Sequence, residues 1–138
     1  MKKVQNYISD NRDLFILKEN QTDKSISDVE DKLGFKFDSD YLEYLKRFGL
    51  ICFDSMEVFG IGVKENSHLN VLKNTLEIRK EEKNFPDNSV LLEYIGESNY
   101  VIYTMNKGVY QYSSNSLSLI KEKLEEYLLM RFDEVTSL

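Results

Sequence analysis

The side chains able to do chemistry are few and scattered. Cys52 and His68 are the only cysteine and histidine in 138 residues, and a thiolate–imidazolium pair would need them side by side. Cys52 lies between Ile51 and Phe53, a setting that predicts a buried, inert thiol. His68 precedes a helical pattern without a partner acid or ligand in sequence and reads as a surface residue at a helix start. One cysteine and one histidine do not make a zinc site. Asp38-x-Asp40 opens like a calcium loop, but the glycine at the sixth position and the closing glutamate are missing, so helix capping accounts for both acids. Gly60-Ile61-Gly62 lacks the third glycine of a dinucleotide loop and opens no long helix, which leaves a bulge or a close backbone approach as its reading. No nucleophile-elbow or Walker sequence occurs. The expectation is a protein without metal, cofactor or catalytic centre.

Binding chemistry is better represented. Eighteen basic against 24 acidic residues give a net charge of -6, which removes the long-range attraction a nucleic-acid binder needs and favours a cationic protein partner. Most acids fall on helix faces among lysines, as Glu122, Glu125 and Glu126 do, the pattern of solvated helices. Asp54, Glu57, Glu93 and Glu97 instead fall at loops and strand ends. Together with Tyr100 they are the candidate contact residues, forming one acidic patch with a tyrosine beside it. Nine tyrosines and no tryptophan suit such a surface, since tyrosine supplies contact area at low entropic cost.

The elements that must position these residues follow from periodicity. Val4, Tyr7 and Ile8 give a short helical face, and Leu14 to Leu17 is a short strand or packed extended segment. Ile26, Val29 and Leu33 define a first amphipathic helix, started from about Ser27 by the Ser27-x-x-Glu30 capping box or by Ser25, and ended by Gly34. Tyr41, Leu45 and Phe48 define a second, opened by Asp38, stapled by Phe37 and Leu42, and ended by Gly49. Residues 51–53 and 57–63 read as strands. Ser67 caps a third helix with core face Leu69, Leu72 and Leu76, and Pro86 lies beyond its end. Three strands follow over 90–95, 100–105 and 109–112, joined by Gly96 to Asn99 and by Asn106-Lys107-Gly108, connections short enough to force antiparallel neighbours. Alternation places Tyr110 and Tyr112 on one face and Tyr100 opposite Tyr103. Leu117, Ile120, Leu124 and Leu128 predict a C-terminal helix capped by Asn115 or Ser116. The order predicts one α+β domain over 1–138, an antiparallel sheet of about four to six strands flanked by helices.

Leu33-Gly34, Phe37-Asp38-Ser39-Asp40-Tyr41, Tyr44-Leu45, Phe48-Gly49 and the strand Glu57 to Ile61 also carry a likeness. A helix ending Leu-Gly, an extended link, an apolar residue, Pro-x-Asp-Tyr, aromatic-Leu, and a helix closing on aromatic-Asn/Gly resembles the SUKH superfamily, the Smi/Knr-type fold. Asp38 stands where that pattern usually has proline, and both residue types suit a helix start. The Asn-Gly-Gly loop common after the second helix is reduced to Gly49-Leu50. The resemblance implies a bacterial immunity protein that binds and neutralises a cognate polymorphic toxin, commonly a nuclease, by covering its active surface. A regulatory or scaffold module, as in the superfamily's fungal members, is the second expectation, and a small carboxylate hydrolase the last. With no membrane-length apolar run, no apolar leader after Met1-Lys2-Lys3 and an unpaired cysteine, the expected compartment is the cytoplasm.

Overall fold

The computed structural model describes residues 1–137. Helix α1 (Lys2–Asp10) leads through a short 3-10 turn into strand β1 (Phe15–Leu17), and helices α2 (Asp23–Leu33) and α3 (Ser39–Phe48) form a corner. Strands β2 (Ile51–Phe53) and β3 (Met56–Val58) precede helix α4 (Val71–Glu81). Strands β4 (Ser89–Tyr94), β5 (Asn99–Thr104), β6 (Gly108–Ser113) and β7 (Ser116–Lys121) then run to helix α5 (Leu124–Thr136). The predicted α+β class and antiparallel pairing hold. The seven strands of the described residues divide into a three-stranded sheet, β1-β2-β3, and a four-stranded meander, β4-β5-β6-β7.

The corner is built from the residues its sequence marks. Gly34 closes α2 in the left-handed region at φ 88°, its N–H bonded to the Glu30 carbonyl at 2.8 Å. The Asp38 carboxylate caps α3 by accepting from the Tyr41 N–H at 2.9 Å. Its other oxygen accepts from the Tyr103 hydroxyl at 2.6 Å and the Asn106 N–H at 2.7 Å, so the cap also holds the β5–β6 hairpin. Burial, and then the hydrogen bond to Asp38, push the Tyr103 phenol well above its usual range. Among the described residues, a Cβ on Gly34 would meet nothing within 4 Å. Gly34→Val is therefore expected to lose about 1–2 kcal/mol, from backbone strain alone. Urea denaturation checks it, and a valine variant as stable as the parent would contradict the left-handed cap.

Three helix assignments are corrected. Helix α2 starts at Asp23, earlier than Ser27, because the Thr22 hydroxyl accepts from the Ser25 N–H at 3.1 Å. Glu30 makes no capping box. It is buried and accepts from the Phe37 N–H at 2.7 Å, bracing the link between the helices. Helix α4 is capped by Asn70, not Ser67, and buries Val71, Thr75 and Ile78, while Leu76 faces outward. Thr75 belongs in the core because its hydroxyl accepts from the Leu91 N–H at 3.1 Å. The C-terminal helix starts at Leu124; Leu117 and Ile120 lie in β7. Asn115 caps no helix: with Ser114 it forms a two-residue hairpin turn, both at positive φ (65° and 50°), as a type I′ turn requires. Residues 59–63 also leave the strand, which ends at Val58.

One core joins these parts. Phe15 stacks on Phe53 at 4.2 Å between ring centres, Phe132 meets both rings edge-on, and Tyr7 stacks on Phe132. A second aromatic row, Phe37, Tyr41 and Tyr44, runs from the corner to Tyr103 of the meander. Such pairs add about 0.5–1.5 kcal/mol each beyond the area they bury. The sheets meet where the β4 register shifts between Leu91 and Glu93: the Leu92 carbonyl at this bulge accepts from the Phe59 N–H at 2.9 Å. Gly60 follows, bonded to both Leu69 and Val71, and starts the approach to α4.

Candidate functional site

Between the end of β3, α4 and the β4–β5 hairpin lies an open cleft of about 820 Å³. Its walls include Glu57, Glu77 and Glu81, with the apolar and aromatic side chains of Ile78, Tyr94, Ile95 and Tyr100. Each is set by its element. Glu57 points outward because β3 alternates between two buried residues, Met56 and Val58. Glu77 and Glu81 are four apart on α4, on the turns flanking buried Ile78. Tyr94 and Tyr100 are directly paired across β4 and β5, with ring centres 5.3 Å apart. Tyr94 and Ile95 are about half exposed, at 54% and 45%. Burial, then the nearby Glu81 and Glu82 carboxylates, push the Tyr100 phenol above its usual range. Tyr100 therefore stays neutral at physiological pH and can donate a hydrogen bond into the cleft.

The five residues marked by the sequence are partly gathered here. Glu57, Glu93 and Tyr100 line the cleft; Asp54 and Glu97 do not. Both are exposed at positive φ on turns, Asp54 next to the lining residue Ser55 and Glu97 two residues beyond Ile95. They stand at the tips of two hairpins bordering the cleft. Glu93 differs in kind. It is 2% exposed, its two oxygens accept from Arg131 Nε and Nη2 at 2.9 Å each, and Tyr127 donates a further hydrogen bond to it. Arg131 neutralises it, so Glu93 anchors α5 to β4 and contributes no free charge. The bulge at Leu92 turns Glu93 toward α5, with Val101 as its cross-strand partner. Partners 34 and 38 residues away leave no local signal for this arrangement.

Glu77 and Glu81 complete the acidic wall. The lysine-interleaving rule places both among solvated helix acids, and Glu77 does have Lys73 at 3.1 Å. That pair is surface-exposed and worth little, so a partner's cation can replace the lysine at small cost. Glu81 has no ion pair among the described residues. The signal that could have found them is the four-residue spacing of two acids on the α4 face left open beside Thr75 and Ile78.

His68 and Cys52 both adjoin Glu57: His68 Nε2 lies 3.2 Å from a Glu57 oxygen, and Cys52 is the cross-strand partner of Glu57. Cys52 is half-buried, not buried as expected, because β2 turns it toward the outward side of a two-faced strand. Burial and the Glu57 carboxylate raise its thiol pKa. An activated nucleophile needs the opposite shift. Among the described residues no three His, Cys, Asp or Glu side chains group as metal ligands, and no helix is long and apolar enough to cross a membrane.

Comparison with known proteins matches the fold. The chain is 33% identical over 92 residues to the uncharacterized protein YnaB of Bacillus subtilis (strain 168), a match covering 65% of this chain and 55% of YnaB, little more than half of that relative's length. The SMI1-KNR4 cell-wall profile (SUKH_5) matches residues 1–133, spanning the corner, both sheets and most of α5, and the chain therefore belongs to this SUKH family.

Proposed function

We propose that this chain is a non-catalytic immunity protein of the bacterial cytoplasm that binds a cognate polymorphic toxin, a nuclease in the reading favoured here, through the acid-walled cleft and its two hairpin tips. The carrying observation is the joining of outward carboxylates, Glu57, Glu77 and Glu81, to exposed surface at Tyr94 and Ile95 and to the half-buried Tyr100. A nuclease surface is cationic where it holds phosphates. Carboxylates facing such a surface speed encounter and fix register, and the tyrosines supply the desolvated contact area that holds the complex. Family membership and the net charge of -6 support this reading. The raised Cys52 thiol and the Arg131-bound Glu93 agree with a mechanism of occupancy without turnover.

The test begins by purifying the protein from its source cell and identifying the protein that accompanies it. The association rate with that partner is then measured at low and high salt for the parent and for Asp54→Asn/Glu57→Gln/Glu81→Gln/Glu97→Gln. The variant is expected to associate at least about tenfold more slowly at low salt, with a flattened salt dependence and weaker protection from toxin. Unchanged protection and salt dependence would place the interface elsewhere.

A further inference from the structure

The outer edge of the meander carries a second surface, two strands across the sheet from the cleft residue Tyr100. Among the described residues, strand β7 pairs only with β6. Its residues 116–119 are all exposed, with Leu117 at 46% and Leu119 at 52%. The register Ser113↔Ser116 across the two-residue turn makes that pair hydrogen-bonded. Alternation then directs the N–H and C=O groups of Leu117 and Leu119 away from β6, toward solvent. The two leucines share a face with Tyr110 and Tyr112, their partners on β6. An edge of this kind usually carries a charge or a proline. Here Ser116 to Ile120 has neither; the protection sits at the ends, in the Ser114-Asn115 turn and in the register shift between Leu119 and Lys121.

We propose that β7 pairs with β7 of a second copy of this chain, antiparallel about a two-fold axis at Ser118, so that two meanders form one eight-stranded sheet. The sequence is self-complementary in that register. Leu117 of one copy faces Leu119 of the other, both with outward backbone groups, and the four leucines cluster on one face. Charge selects the arrangement. One end of the edge carries Lys107, Lys121 and Lys123 with a single acid, Glu122; the other is the uncharged run Ser113 to Ser116. Antiparallel pairing sets each basic end against an uncharged one and separates the Lys121 residues by about 20 Å, beyond the screening length of about 8–10 Å. Parallel pairing would stack them. The same lysines disfavour a cationic toxin at this edge, so the second copy and the toxin take different surfaces. Closure about a two-fold axis uses each edge once and ends the assembly at two.

Sedimentation equilibrium of the full chain from micromolar to millimolar concentration is the test. The parent is expected to reach twice the monomer mass, and Leu119→Lys, at a half-exposed position that leaves the core intact, to raise the dimer dissociation constant by on the order of tenfold or more. Ile16→Lys, on the exposed β1 edge of the other sheet, is expected to change nothing. Ser118→Cys in a Cys52→Ser background reads the register: mild oxidation should link it into a dimer, because Ser118 faces its own copy at a non-hydrogen-bonded position, and Ser116→Cys should not link. A monomer throughout the range, a dimer indifferent to Leu119→Lys, a dimer broken by Ile16→Lys, or linkage through Ser116→Cys in preference to Ser118→Cys would each overturn the proposal. Circular dichroism confirms that each variant is folded.

Discussion

Arg131→Met is expected to destabilise the protein by about 3–5 kcal/mol, because it leaves the Glu93 carboxylate buried without its cation. The Glu93 side chain is 3% exposed, and after the substitution Tyr127 alone would still donate to it. The reverse deletion should be milder. Arg131 is 18% exposed and already reaches Glu134 at 3.2 Å, so Glu93→Gln leaves a guanidinium with another partner and a route to water, for a loss of about 1–3 kcal/mol. The double variant Glu93→Gln/Arg131→Met should recover part of the single Arg131 loss, since no uncompensated charge remains. Thermal denaturation of the four proteins reads this directly, with a fall of roughly 10–20 °C for Arg131→Met. Equal effects of the two single substitutions, or a double variant worse than their sum, would show that the pair does not carry a buried-charge penalty.

A similarly large effect is expected from a single methyl group at the junction of the two sheets. A Cβ on Gly60 would lie 1.7 Å from the Gly49 carbonyl oxygen, and one on Gly49 would lie 2.1 Å from the Lys18 carbonyl oxygen, at φ 70°. The obstacles are backbone atoms whose neighbours are tied down, by Ile61 N–H to Gly49 O and Lys18 N–H to Phe48 O, both at 2.8 Å. Relief therefore breaks hydrogen bonds as well as packing. Gly60→Ala and Gly49→Ala should each lose about 3 kcal/mol or more, against the smaller, strain-only loss at Gly34. Urea midpoints ranked with Gly34→Val as the least affected would agree. Alanine variants of near-parental stability would contradict the close approach.

The difference between these glycines also explains which parts of the fold were legible. As helix caps, Gly34, Asp38 and Gly49 act within four residues, and local spacing specifies that role; the approach of Lys18 to Gly49 and the bonds of Asp38 to Tyr103 and Asn106 are not local. Ser27-x-x-Glu30 has the letters of a cap, but Glu30 is drawn inward by Phe37, a partner that periodicity does not reveal. Leu117, Ile120, Leu124 and Leu128 have helical spacing, while Leu117 and Leu119 fit a strand equally well. The decision rests on Ser114 and Asn115 adopting positive φ without a glycine to advertise it. On α4 the polar Thr75 hid the buried stripe. In the cleft, Glu57 and Tyr100 were recognisable from strand ends and turns. The neutralisation of Glu93 and the recruitment of Glu77 and Glu81 depend on which helix faces which strand, and tertiary packing alone fixes that.

Asp38 has a consequence for how the molecule opens. Its carboxylate joins the start of α3 to Tyr103 and Asn106, 65 and 68 residues away. A proline at this position would begin the helix equally well and make neither bond. With aspartate there, fraying the first turn of α3 also strips the β5–β6 hairpin of two acceptor contacts, and opening the hairpin leaves the helix cap with one of its three donors. Partial unfolding of either half is thereby made less favourable than it would be alone, so the corner and the meander are coupled into one cooperative unit.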